Sequence, residues 1–167
     1  GSKVIAPGTG ILFTNGMAVF NPKPGAANSI AGYKRGLGNM APLIGLREGK
    51  AFISLGAPGG RKIMNCNTQV IANIIDFGMD IQAAGDAPRV RHDGSSDPMG
   101  GKMIDGGIVY LESGHRDETL AALIALGHRT ARGAGGYGGY QAIQRDGKNN
   151  IYFGASESRK DGQAAGF

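Results

Sequence analysis

The densest chemical signal in the chain is Gly56-Ala-Pro-Gly-Gly60, which follows the apolar run Lys50-Ala-Phe-Ile-Ser-Leu55 and precedes apolar residues at helical spacing. Successive glycine amides at a helix start carry no side chains in the way. They can point N–H groups at an anion or a developing oxyanion, and the helix dipole adds to the attraction. The same spacing serves equally well as a tight strand-to-helix turn. A nucleotide phosphate loop is excluded because no Gly-Lys-Ser/Thr ending follows, and the dinucleotide fingerprint is absent too.

Other reactive side chains are sparse. His92, His115 and His128 show no ligand pair at helical or hairpin spacing, so the sequence offers no metal site. No Gly-x-Ser-x-Gly elbow supports a serine nucleophile. Asp93 and Asp97 beside His92 read as solvated loop residues. The single cysteine, Cys66, lies in an apolar helical pattern and reads as a buried structural thiol. The loop Lys34-Arg-Gly-Leu-Gly-Asn-Met-Ala-Pro42 brings two cations and an amide close to a strand start, where a carboxylate could be held.

The elements that must position these residues follow from pattern and punctuation. Thr9–Phe20 is apolar and glycine-bounded, which predicts one or two strands broken at Asn15-Gly16. Asn21–Gly38 reads as loop. Pro42–Arg47 and Lys50–Leu55 flank Glu48-Gly49 and predict a hairpin. Ile63, Asn67, Val70, Ile71, Ile74 and Ile75 predict a helix over 61–77, stopped at Gly78, with Asp80 capping a shorter helix over 81–86. Pro88–His92 reads as an edge strand and Gly107–Glu112 as another strand. A second amphipathic helix fits Asp117–Leu126. Gly138–Phe153 predicts a hairpin turning at Asp146-Gly-Lys148, with coil from Gly154 onward. Short hairpins and two principal helices predict an α+β layered fold dominated by antiparallel pairing, with residues 1–167 forming one domain.

Composition narrows the class of partner. The chain holds 31 glycines in 167 residues, well above the average of about 7%. They lack a collagen period and alternate with Val/Ile/Leu runs, which points to a folded domain with tight turns and backbone-lined surfaces. Charged residues make up 19% and no stretch approaches a membrane-spanning length. No signal peptide is visible. The net charge is +5, but the basic residues are scattered, which argues against nucleic acid as a partner.

These pieces, in this order, resemble the small subunit of the γ-glutamyltranspeptidase family of N-terminal-nucleophile hydrolases. The likeness runs the length of the chain. It rests on Gly8-Thr-Gly-Ile-Leu12, Lys34-Arg35 with Met40-Ala-Pro42, Gly56-Ala-Pro-Gly-Gly60, Asp86-Ala-Pro-Arg-Val90, Gly154-Ala-Ser156, Arg159 and Gly166-Phe167. The resemblance implies a four-layer αββα sandwich of which this chain supplies part. It also implies a precursor that cuts itself before a threonine, whose freed amine activates its own hydroxyl for attack on an amide.

That threonine is expected about two dozen residues upstream of Gly1; Ser2 is not in its position. The resemblance places the oxyanion hole on Gly59 and Gly60. The implied partners are a large subunit from the same precursor and a small-molecule amide, with no cofactor, no metal, no nucleic acid and no membrane. A dimer of such heterodimers is compatible with the family, and the compartment stays open between periplasmic or extracellular and cytoplasmic.

The substrate positions depart from the glutamyl-specific pattern. Gly16 and Val19 stand where those members carry a glutamine and the aspartate that holds the α-amino group. Gly38 and Asn39 stand where they carry two serines for the α-carboxylate. An unpaired, desolvated ammonium costs several kcal/mol, so the expected substrate is an amide or acyl compound without an amino-acid head, contacted by Asn15, Gly38 and Asn39. The 21–33 loop is short beside members that carry a lid there. Two rivals remain: a non-catalytic relative that binds a ligand or partner through the glycine loop, and a basic ligand-binding domain unrelated to hydrolysis.

Overall fold

The computed structural model describes residues 2–38, 40–94 and 106–166. The chain divides into two compact units, one built by residues 2–38 and the other by the described residues from Met40 onward.

The first unit corrects the expectation of strands over Thr9–Phe20. Extended pairing there is a single antiparallel bridge, Ile5 with Leu12, flanked by Ala6 N donating to Ile11 O (2.9 Å) and Phe13 N to Val4 O (2.8 Å). Asn15 opens a 3₁₀ turn over Gly16–Val19 instead of breaking two strands. Ile11, Leu12, Phe13 and Met17 are all more than half exposed. An apolar run forms a strand only where a neighbouring strand and a core can receive it, and the first unit provides neither.

The second unit holds two sheets. Strands β1 (Leu43–Arg47), β2 (Lys50–Gly56), β6 (Gln141–Asp146) and β7 (Ile151–Ser156) pair antiparallel in the order β1-β2-β6-β7. The hairpin at Glu48-Gly49 forms as expected, with both turn residues at positive φ and a bulge between Gly45 and Leu46. Register sets Leu43, Leu55, Ala142 and Ala155 side by side across one face. Leu55, Ala142 and Ala155 bury there with Ile53, against α1 (Ile63–Ile75) and α2 (Ile81–Asp86), which add Cys66, Val70, Ile81 and Ala84. Asp80 caps α2 as its sequence position predicts: its Oδ1 accepts from the Gln82 and Ala83 amides, both at 2.9 Å. Strand β7 runs to Ser156, three residues into what the sequence presents as coil.

The second sheet orders as β3 (Val90–Asp93), β4 (Ile108–Leu111) and β5 (Thr130–Arg132), with α3 (Asp117–Ala125) between β4 and β5. Strand β3 is an edge, as expected. Strand β5 has no sequence forecast; it pairs parallel to β4, a crossover that α3 makes possible and that three residues of pattern cannot announce.

Candidate functional site

Strand β2 ends at Gly56, and the chain reverses through Ala57-Pro58-Gly59-Gly60 into a 3₁₀ turn and then α1. Gly59 sits at φ +156, ψ 6 and Gly60 at φ +57. Both conformations favour glycine strongly. Lys62 N donates to Gly59 O at 3.1 Å and Ile63 N to Gly60 O, so the carbonyls turn into the helix. The Gly60 amide, anti to the Gly59 carbonyl in the same peptide plane, faces the other way. Among the described residues the Gly59 and Gly60 N–H groups find no acceptor, and both residues are exposed. No side chain caps the 3₁₀ turn or α1, and neither opens with an acidic residue. The positive end of the helix is thus left open, with adjacent donors available to an oxygen that carries negative charge.

A second glycine-rich segment, Gly133–Gly139, packs behind this turn. A Cβ placed on Gly59 would lie 3.9 Å from the Gly138 Cα. Gly138 has φ +100, and a Cβ on it would come within 2.7 Å of Cys66 Sγ. The loop therefore fits between Cys66 and the Gly59 turn only as bare backbone. Cys66 is 2% exposed. Burial pushes its thiol above the ordinary range, which suits the structural reading of this residue.

Arg89, Glu112, Glu157 and Arg159 form a network deep in the second unit. Arg89 is 1% exposed and pairs with the equally buried Glu157. Its Nη1 also donates to Tyr137 O (2.7 Å) and its Nη2 to Gly85 O (2.5 Å). Arg159 grips Glu112 with Nε and Nη2, each at 2.6 Å, and reaches Glu157 Oε2 with Nη1 at 3.2 Å. Desolvation pushes the Glu112 carboxyl up. The Arg159 hydrogen bonds, the Arg89 amide and the two guanidinium charges outweigh it and hold Glu112 below the usual carboxylate range. Three of the sequence motifs, Asp86–Val90, Gly154–Ser156 and Arg159, meet here. Glu112 and Glu157 carried no functional expectation, and neither did the Gly133–Gly139 loop, whose end was read only as the start of the Gly138–Phe153 hairpin; the only signal for the loop was its glycine density.

Asp93 is exposed, as the solvated reading expects, but it lies in a strand rather than a loop. It ends β3 and takes both Lys62 Nζ, at 3.1 Å, and the Arg91 guanidinium. Desolvation pushes it up, but those two cations lower it further and leave it below its ordinary value. Arg91 stacks over Tyr110, 4.0 Å from the ring centre, and lies 5.5 Å from that of Tyr137. Lys62 and Arg91, far apart in sequence, are thus brought together on one carboxylate. Asp97 lies outside the described residues.

Among the proposed substrate contacts, Asn15 is exposed at the head of the first unit's 3₁₀ turn, where its carbonyl accepts from Ala18 N at 3.0 Å. Gly38 is exposed with nothing near its Cβ position. Asn39 lies outside the described residues. The segment that follows is anchored within the second unit: buried Asn67 donates from Nδ2 to Ala41 O at 2.7 Å. A cavity of about 860 Å³ lies elsewhere, lined by Glu112–Asp117 and Arg132–Gly135. Arg132 is already committed there to Asp117 (2.5 Å) and the Glu112 carbonyl (2.8 Å). No group of three His, Cys, Asp or Glu among the described residues is arranged to hold a metal, and no helix there is long and apolar enough to cross a membrane.

Comparison with known proteins accounts for the whole chain. The family described as gamma-glutamyltranspeptidase matches residues 1–167. The acylase ACY 1 proenzyme of Pseudomonas sp. (strain SE83) is 39% identical over 143 residues, covering 86% of this chain and 24% of that protein. The glutathione hydrolase proenzyme of Escherichia coli (strain K12) is 32% identical over 178 residues, covering 100% of this chain and 29% of that protein. This chain thus spans about a quarter of the length of these relatives.

Among solved structures, the γ-glutamyltranspeptidase from Pseudomonas nitroreducens complexed with L-DON superposes with TM-score 0.79 at 29% identity, over 100% of this chain and 87% of that one. The cephalosporin acylase from Bacillus halodurans gives TM-score 0.79 at 30% identity, over 97% of this chain and 28% of that one. The α+β expectation holds, and the chain supplies part of the four-layer αββα sandwich. With the family pattern matched from Gly1 to Phe167, the chain belongs to the γ-glutamyltranspeptidase family.

Proposed function

We propose that residues 1–167 are the small-subunit portion of an amide-cleaving hydrolase or acyltransferase, working with a large subunit from the same precursor. The nucleophile in this reading is a threonine upstream of the chain. Its hydroxyl attacks the amide carbonyl, its own amine takes the proton, and charge builds on the carbonyl oxygen. The Gly59 and Gly60 amides meet that oxygen, collapse expels the leaving amine as it takes that proton from the threonine ammonium, and water or a second amine releases the acyl group. The observation that carries the reading is the pair of adjacent, unpartnered glycine amides at the uncapped start of α1.

The substrate is an amide or acyl compound without an amino-acid head, contacted by Asn15, Gly38 and Asn39. Val19 supports this, because an apolar side chain offers no counter-ion to an α-ammonium. The likeness to an acylase and a cephalosporin acylase makes side-chain amides of that kind the first compounds to assay. The test is intact mass of every polypeptide in the full-length protein, followed by brief incubation with chromogenic amides. A larger partner chain, a peptide beginning with threonine and an acyl adduct on it are expected. A protein that turns over no amide and forms no adduct overturns the reading in favour of a ligand-binding relative.

A further inference from the structure

Arg89 occupies the link between α2 and β3, and its side chain is buried almost completely. Burying an ion pair is a poor way to gain stability, since desolvation offsets most of the attraction and an apolar pair often does as well. The Arg89–Glu157 pair is poorer still, because Arg89 Nε and Glu157 Oε1 are both buried without a hydrogen-bond partner. What the guanidinium does achieve is geometric. Its fork spans the Glu157 carboxylate, Gly85 O and Tyr137 O at once, which a lysine ammonium on a flexible stem cannot reproduce.

Tyr137 O is the consequential contact. The next residue, Gly138, backs the Gly59 turn, and a Cβ on Gly138 would fall 3.3 Å from Arg89 Nη1 and 2.7 Å from Cys66 Sγ. We propose that Arg89 is a positioning residue for the oxyanion turn: by holding the Tyr137 carbonyl it fixes Gly138 against Gly59 and so aims the Gly59 and Gly60 amides. The inference rests on the function proposed above. It adds a side chain with no path to substrate whose loss acts on the transition state, because misplacing a preorganised donor weakens its hold on developing charge.

Two variants of the full-length protein test it from opposite sides. Arg89→Lys keeps the charge beside Glu157 but loses the fork, whereas Gly138→Ala keeps both charged groups and displaces the loop from its own side. Both are expected to lower kcat about 10- to 100-fold while KM stays within about threefold, and both should speed hydrogen exchange of the 56–62 amides and the 133–139 loop. Arg89→Met paired with Glu157→Leu, which removes the buried ions, should recover Tm without recovering kcat. Wild-type kcat in either single variant, or kcat recovered along with Tm in the double variant, overturns the inference. So does unchanged exchange over 56–62 in Arg89→Lys, a readout that needs no turnover. A wild-type protein without amidase activity would instead sink the proposed function.

Discussion

Arg159 Nε and Nη2 hold the two oxygens of Glu112, each at 2.6 Å, tying the segment after β7 to the end of β4. The two residues lie 47 apart in sequence, and the same Glu112 carboxylate accepts the Arg89 amide at 2.9 Å. One side chain thus ties together three of the chain's ends and corners. The bidentate geometry is the strong form of this interaction.

Glu112 makes the fold acid-sensitive. Its folded pKa lies below the ordinary carboxylate value of 4.5, so its contribution is fully present above that value and is lost as pH falls through the lowered one. Urea unfolding should show stability dropping below about pH 4.5, and Glu112→Gln should flatten that acid limb. At neutral pH the substitution should cost about 2 kcal/mol, from an Arg159 fork left half-paired.

Gly60→Ala tests the amide turn directly. Its φ of +57 costs an alanine about 1–2 kcal/mol, and nothing lies near its Cβ position, so the protein should fold. Relaxing the strain re-aims the amide. Turnover of any amide substrate should fall by about 10²- to 10³-fold, measured as kcat with KM little changed.

Val19 is the expected determinant against γ-glutamyl substrates. The wild-type protein should hydrolyse glutathione poorly relative to amides without an α-ammonium. Val19→Asp should raise kcat/KM for a γ-glutamyl anilide by about tenfold or more, equivalent to about 1.4 kcal/mol. Steady-state kinetics on paired substrates give the answer, and equal use of glutathione by the wild type would defeat the idea.

Cys66 should be silent in the native state. It is 2% exposed, lies under Gly138, and burial raises its thiol pKa. A chromogenic disulfide reagent at pH 8 should label the cysteine only on unfolding, at the rate the protein opens. Fast native labelling would place the loop away from Gly59.

Local signals and long-range ones fared differently. The Glu48-Gly49 hairpin, helix α1, the Asp80 cap and the burial of Cys66 were legible because each depends on neighbours a few residues away, through turn chemistry, helical period and capping. The Gly56–Gly60 turn was legible for the same reason, and its resemblance to a family gave it a chemical meaning. Thr9–Phe20 misled because apolar periodicity specifies a face to bury, not the strand that must receive it.

Only the tertiary structure decided what stands behind the glycine turn. Arg89 meets Glu157 across 68 residues and Tyr137 across 48, and no spacing in the chain encodes those pairings. The parallel β4–β5 ladder likewise exists because α3 carries the chain back over the sheet. Sequence determined where backbone donors and buried residues lie along the chain. Packing determined which carbonyl a buried guanidinium grips, because that choice follows from how far-separated segments close together.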